Sequence, residues 1–475
     1  MLLINERKKK MTVEITKTPL SKEMNQIPSQ TIPVPMSVSQ NVYLNNTIRD
    51  MEISQWFDER IDELNEENSP KTSKPISDIV KKYTGSYIGK YPVSQEQKKL
   101  LRDMAICRTA ALGGHVDQCD CCDYLKVVYN SCRNRGCPTC QGLDRERWIE
   151  ARKAEILECG YFHAVFTLPH HLNPLIFCNQ KLLLDLLFKT VSGVLQDFAG
   201  DPQWRLNGKL GIIMVLHTWN QKLLDHFHLH CLIPAGALSF DEKKWTPCRK
   251  KFLFRTESIA KAFRKRYING IESLFKNGEL VFAGKSKEYA TQEGFQSLMK
   301  KLWSNKWVVY AKKPFAGPEQ VLSYLGRYTH RIAISNSRIV SETDGKVTFK
   351  YKDRKDENKE KELEIDAVEF VRRYLLHVLP KRFVKIRYFG FLFHRTKKEK
   401  IEIIRKLIGQ DTQTPETKKE TIREMMLRLT GEDITLCPKC KRGRLKTALE
   451  FPRFSSIRYN HERYELMNLL DELDL

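Results

Sequence analysis

The sequence predicts an α+β protein: a largely antiparallel sheet with flanking helices, preceded by a small cysteine-rich domain and followed by a helical, basic C-terminal region. Three observations predict it. Cys119-Asp-Cys-Cys122 and Cys137-Pro-Thr-Cys140 form two Cys-x-x-Cys pairs separated by 14 residues. Strand-like segments follow: Tyr161 to Leu168, the apolar Leu210 to His217, and the alternating Asp225-His-Phe-His-Leu-His-Cys-Leu-Ile-Pro-Ala-Gly236. Around them, Leu182 to Phe198 and much of Lys250 to Lys301 carry helical spacing.

At 475 residues the chain is long enough for several cores. Lys plus Arg (81) exceed Asp plus Glu (58), a net charge of +23, which points to a polyanionic partner, nucleic acid ahead of a membrane surface. The longest nearly unbroken apolar run, Leu210 to Leu216, is far too short to span a bilayer. The N-terminus runs from apolar to basic, the reverse of a signal peptide. A cytoplasmic location is therefore expected, in which the 13 cysteines are thiols or metal ligands rather than disulfides.

In chain order, residues 1 to about 48 lack periodicity and read as disordered. Glu52 to Glu67 has an amphipathic stripe, and Ser69 to Pro75 reads as a linker. The expected domains are therefore an N-terminal region 1–77, a cysteine-rich domain 78–160, a central domain 161–395 and a C-terminal region 396–475. Gln95 to Arg108 is a predicted helix leading into the cysteines. Two knuckles at this spacing supply the four soft ligands that structural zinc needs, so Cys119, Cys122, Cys137 and Cys140 are the expected set. Cys107, His115, Cys121 and Cys132 lie near enough in sequence to alter that set or add a second metal. Arg133 and Arg135, then a predicted helix from Leu143 to Glu158, surround the module with cations suited to phosphates.

Alternation with period two puts His226, His228 and His230 on one face of a strand, with Phe227, Leu229 and Cys231 on the other. Three imidazoles in register can hold a divalent ion. Pairing of the preceding apolar strand with this one would bring His217 towards the same face. Further on, Gly317 and Pro318 suit a helix start, so Tyr324 and Tyr328 fall one turn apart on a shared face. Lys312, Lys313, Arg327 and Arg331 supply cations nearby. A tyrosyl oxygen can attack a phosphodiester when a metal and cations hold the phosphate. Asp344-Gly345 marks a hairpin, and Asp366 with Glu369 marks a helix start. Cys437-Pro-Lys-Cys440 is half a zinc site, for which His461 is one candidate partner; two unliganded thiols are the alternative.

Together these residues resemble the rolling-circle, two-tyrosine (HUH) transposases of bacterial insertion sequences, specifically the ninety-one family with its N-terminal zinc-binding domain. The resemblance rests on Cys107 to His115, Tyr129 to Arg135, Phe166 to Pro169, His217-Thr-Trp219, the histidine strand, Gly317 to Gln320, Tyr324 to Asn336 and His377 to Pro380, spanning about residues 80 to 395. It departs at Gly136, where the family usually has His. The resemblance implies an HUH-type catalytic domain in which His228 and His230, with a third ligand, hold Mg²⁺ or Mn²⁺. For that ligand His226 ranks first, then His217, then Gln320 and Glu319. It implies Tyr324 and Tyr328 as nucleophiles and single-stranded DNA at element ends and target as partner. It further implies structural Zn²⁺, a nucleoid-associated protein and a candidate homo-oligomer. A replication initiator or relaxase would share this chemistry. A metal-dependent hydrolase would dispense with the tyrosines, and a non-catalytic zinc-containing nucleic-acid-binding protein would need neither histidine register nor tyrosine pair.

Overall fold

The computed structural model describes residues 76–451 except 123, 249–252, 316–325, 327–332, 354–355 and 411–419. The Glu52–Glu67 stripe, the linker, both tyrosines, Arg327, Arg331, Gln320, Glu319 and His461 lie outside the described residues.

Helices α1 (Ile76–Ile88) and α2 (Gln95–Ala105) open the fold. Ser94 starts α2: its hydroxyl accepts from the Gln97 N–H, and the Gln97 side chain accepts from the Ser94 N–H, satisfying two donors that the helix leaves open. Next come β1 (Gly114–Cys119), β2 (Leu125–Tyr129) and α3 (Gln141–Lys153). The central region follows as β3 (Tyr161–Thr167), α4 (Gln180–Gly200), β4 (Gly211–Trp219), β5 (Asp225–Pro234), α5 (Thr256–Lys276), α6 (Gln292–Ser304) and β6 (Val308–Phe315). A meander β7 (Ile339–Thr343), β8 (Lys346–Asp353), β9 (Lys359–Asp366) leads to α7 (Ala367–Leu375) and β10 (Ile386–Gly390). The chain then passes through α8 (Lys397–Ile408), α9 (Ile422–Thr430) and β11 (Leu445–Phe451).

The main sheet has the order β10–β4–β5–β3–β6 with every pair antiparallel. Its two faces differ because side chains alternate along each strand. One face buries Phe162, Phe166, Met214, Leu216, Phe227 and Leu229 against α4 and α5. At about 1.5–3 kcal/mol for each fully buried large apolar side chain, this face is a main source of the domain's stability. The other face is divided. At one end Tyr161, Ile213 and Leu232 pack beneath Phe391, Ile401 and Ile404. At the other end it carries histidines.

The predicted hairpin is present: Asp344 and Gly345, at φ 51° and 72°, form the left-handed turn that matches strand twist. Asp366 caps α7 by accepting from the Glu369 N–H, while the Glu369 carboxylate pairs forward with Arg372 and Arg373 rather than closing a box. One core joins α1, α2, the meander and α7 with Cys107 and Cys137. The C-terminal region, expected to be helical, also carries a strand. After α8 and α9 the chain returns to the cysteine-rich domain, where β11 pairs with β1 to complete the sheet β11–β1–β2.

Candidate metal centres and active site

His217, His228 and His230 converge on the open end of the main sheet, all at most 7% exposed, with their candidate ligand atoms within 4.8 Å of one another. Two strands build the triangle: His228 and His230 are two residues apart on β5, and His217 of β4 is the direct cross-strand partner of His228. The His228 and His230 Nε2 atoms are 3.1 Å apart. Metal–nitrogen bonds of about 2.0–2.1 Å at angles of 90–110° separate two nitrogens by about 2.9–3.4 Å, so the pair fits one ion. The rings are also oriented. His228 Nδ1 lies 2.8 Å from the His226 carbonyl, which can only accept, so Nδ1 carries the proton and Nε2 presents its lone pair. His230 Nδ1 faces His163 Nε2 at 3.0 Å, and the two rings stack with an interplanar angle of 10°. With an ion on His230 Nε2, its Nδ1–H donates to His163, the supporting hydrogen bond that fixes a metal-ligating imidazole.

Of the candidates for third ligand, the geometry groups His217 rather than His226 with His228 and His230. Alternation alone puts His226 on the right face. However, the β4–β5 register shifts between His217 and Trp219, so the pairing that sets His217 opposite His228 does not continue to His226. Such a bulge re-aims the side chains beyond it. The His226 ring lies 4.7 Å from that of His228 and 5.5 Å from that of His170, but its nitrogens are not among the ligand atoms that converge. It still lines the cavity of about 340 Å³ above the triangle, together with Lys222, Arg338 and Lys352. Arg338 is anchored there by donating to the Lys350 and Gln221 carbonyls. His163 and Arg338 escaped the sequence reading; the Tyr161–Leu168 strand assignment, read for parity, was the available signal for His163.

A second cavity, about 700 Å³, lies on the other side of Trp219 and is lined by Arg133, Lys381, Arg382 and Lys385 among others. Burial pushes the Lys385 ammonium down to about 8. Arg135 also lines it, but its guanidinium donates to the Leu379, Pro380 and Phe383 carbonyls, which commits it to holding the fold. Lys312 and Lys313 are on β6, paired with β3. Gly326, between the two tyrosines in sequence, is helical; a Cβ there would meet Ile149 Cδ1 of α3 at 2.4 Å, so the backbone of Gly326 lies close to α3.

The cysteines regroup. Cys107, Cys132, Cys137 and Cys140 form one cluster; Cys119, Cys122, Cys437 and Cys440 form another. Cys119 and Cys122, expected to share a site with Cys137 and Cys140, lie in a different cluster from them. Cys119 and Cys122 flank the turn between β1 and β2, whereas Cys132 follows the far end of β2. Five strand residues at about 3.3 Å each put about 16 Å between those ends. Tetrahedral zinc with Zn–S bonds of about 2.3 Å has sulfur–sulfur edges of about 3.8 Å. In the first cluster Cys107–Cys140, Cys132–Cys140 and Cys107–Cys137 are 3.4, 3.6 and 3.7 Å apart. In the second, Cys119–Cys440 and Cys122–Cys437 are both 3.7 Å apart. Both fit.

His115 is outside both clusters and faces Asp117 at 3.5 Å; Cys121 is exposed. With Cys107 and Cys132 the first cluster reaches four thiols without a side chain at Gly136. The Tyr374 hydroxyl donates to its carbonyl, and a Cβ would stand 2.9 Å from Leu100 Cδ2.

Two protein families match this chain. Residues 79–168 match the family described as a transposase zinc-binding domain, and residues 211–400 the one described as a putative transposase. The class is therefore a transposase with a zinc-binding domain, an enzyme that cuts and joins insertion-sequence DNA. The chain is 40% identical over 384 residues to the putative transposase y4qJ of Sinorhizobium fredii, covering 79% of this chain and 95% of that protein. It is 28% identical over 298 residues to the transposase for insertion sequence element IS801 of Pseudomonas savastanoi pv. phaseolicola, covering 62% of this chain and 69% of that one. The chain belongs to the insertion-sequence ninety-one family of transposases. No solved structure matches it.

Proposed function

We propose that this transposase nicks and rejoins single-stranded DNA at its element's ends by tyrosyl transesterification in an HUH-type site. The observation that carries the reading is the imidazole triangle of His217, His228 and His230 beneath a cavity rimmed by Lys222, Arg338 and Lys352. Mg²⁺ or Mn²⁺ held there would polarise a phosphate oxygen and offset the charge that develops on it. The cationic rim orients the phosphate. The hydroxyl of Tyr324 or Tyr328 attacks phosphorus, and the bond from phosphorus to the 3′ oxygen breaks. That oxygen takes a proton, and the 5′ phosphate remains esterified to tyrosine. Attack by a 3′-OH on this ester rejoins a strand and returns the tyrosine. Two tyrosines permit a second cleavage before the first linkage resolves, and each exchange conserves one phosphodiester, so no nucleotide is consumed. The second cavity supplies a basic path on which the strand runs past Trp219. Among the described residues no helix is long and apolar enough to cross a membrane.

The test is a covalent adduct. Labelled single-stranded element ends are incubated with Mn²⁺ and wild type, Tyr324→Phe, Tyr328→Phe or the double variant, then run on denaturing gels. Label at protein size that requires metal and disappears in the double variant is the expected result. Cleavage that persists without either tyrosine would mean a hydrolase. Binding of cognate ends with neither adduct nor cleavage would mean a non-catalytic binder.

A further inference from the structure

The four thiols at the β1–β2 turn belong to two ends of the chain. Cys119 and Cys122 fall within the matched zinc-binding domain, whereas Cys437 and Cys440 lie beyond both matched families, which end at residues 168 and 400. We propose that these four residues form a second structural zinc site, distinct from that of Cys107, Cys132, Cys137 and Cys140, and that its zinc clamps the C-terminal ribbon onto the N-terminal domain. The inference is independent of the tyrosyl chemistry.

Four features support it. First, the sulfur–sulfur distances of 3.7 Å match a tetrahedral edge and exceed the about 2.05 Å of a disulfide. Second, both halves are knuckles whose backbone N–H groups point at sulfur: Cys121 N to Cys119 Sγ at 3.4 Å and Gly443 N to Cys440 Sγ at 3.3 Å. Such donors stabilise thiolate over thiol. Third, the knuckles are docked. The Asp120 N–H donates to the Arg444 carbonyl, and the Arg444 N–H donates to the Asp120 carboxylate at 2.8 Å. Lys446 pairs with Asp120 at 3.2 Å, and Thr447 donates to Asp117 at 2.9 Å. Fourth, Gly443 permits the close approach: a Cβ there would lie 2.5 Å from Cys119 Sγ. Three antiparallel strands and two knuckles make a ribbon that is too small to bury a core of its own, which is where a metal supplies folding energy.

The experiment measures mercurial-releasable zinc, the thiolate-bound fraction, in the full-length protein after dialysis against a mild chelator to clear the histidine site. Wild type should release two zinc ions per chain, one for each cluster. Cys437→Ser/Cys440→Ser should release one, and so should Cys119→Ser/Cys122→Ser. The quadruple variant should lose no more than either pair, since both pairs serve one ion. A wild type that releases a single zinc overturns the proposal without recourse to any variant. So does additive loss in the quadruple variant, or mass spectrometry after alkylation that finds these four cysteines oxidised in disulfides. Iron in place of zinc in the wild type overturns the metal assignment. Cobalt loaded into the Cys107→Ser/Cys132→Ser variant should still show the charge-transfer absorption of a four-thiolate site.

Discussion

Replacing His163 by Phe keeps an aromatic ring in a buried slot, only 4% exposed, and removes one atom that matters: the Nε2 that faces His230 Nδ1 at 3.0 Å. Without that acceptor the His230 N–H is left to find another partner in a buried place, and the imidazole is less strictly held with Nε2 towards the ion. Loss of a supporting hydrogen bond of this kind costs about 10–100-fold in metal affinity, or about 1.4–2.7 kcal/mol. A buried donor that loses its acceptor costs about 1–3 kcal/mol, an independent route to the same magnitude. Calorimetric titration of Mn²⁺ should therefore show Kd rising by about 10–100-fold in His163→Phe. His163→Gln, which can offer an amide oxygen, should recover part of the affinity. Because His163 is a positioning residue, saturating Mn²⁺ should restore most adduct formation. Near-UV circular dichroism guards against a folding defect. A folded His163→Phe variant that binds Mn²⁺ within about twofold of wild type would refute the assigned role.

Three further outcomes follow from the same geometry. Burial holds His377 down to about 4 against an ordinary 6.5, with its ring between the Thr218 hydroxyl and the Leu223 carbonyl. The unfolded chain thus takes up this proton first, so the stability contribution is complete above pH 6.5 and is lost as pH falls towards 4. Urea melts should lose about 2 kcal/mol between pH 7 and 5 through this group. His377→Gln should flatten that slope, and an unchanged slope counts against the assignment. Arg135→Lys should cost about 1–3 kcal/mol in a thermal melt, because an ammonium cannot serve three carbonyls at 2.6–2.7 Å in a planar fork. Its salt dependence of DNA binding should match wild type, since the residue is not a phosphate contact. Gly136→His should destabilise the domain by about 1–3 kcal/mol through overpacking against Leu100 and should leave the zinc content unchanged. A gain of zinc would mean that position 136 can act as a ligand.

The parts of this fold that were legible in the sequence depend on local rules. Strand parity placed His228 and His230 together because alternation along a strand requires no knowledge of its neighbours. The hairpin at Asp344-Gly345 and the cap at Asp366 were legible for the same reason: each is decided within four residues. What escaped depends on pairing. Whether His226 or His217 joins the triangle turns on a register shift between two strands, and no residue type marks that bulge.

The cysteines show where a non-local feature could still have been read. Cys107, Cys132, Cys137 and Cys140 supply four thiols, enough for one zinc, once the hairpin that separates Cys122 from Cys132 is recognised. That leaves Cys119 with Cys122 and Cys437 with Cys440: two half sites of the same Cys-x-x-Cys form, neither able to satisfy tetrahedral zinc alone. Chain separation is a weak objection to joining them, because loop-closure entropy grows only logarithmically with length, while four charge-bearing ligands gain a tetrahedral ion all at once. The sequence distance of 315 to 321 residues across the Cys122–Cys437 and Cys119–Cys440 contacts therefore opposes the pairing by little more than a much shorter loop would. The same argument gives the clamp a consequence for folding. The N-terminal domain cannot complete its second site until residue 440 has been synthesised, so the sheet β11–β1–β2 cannot close before then and joins stretches more than 300 residues apart in the chain.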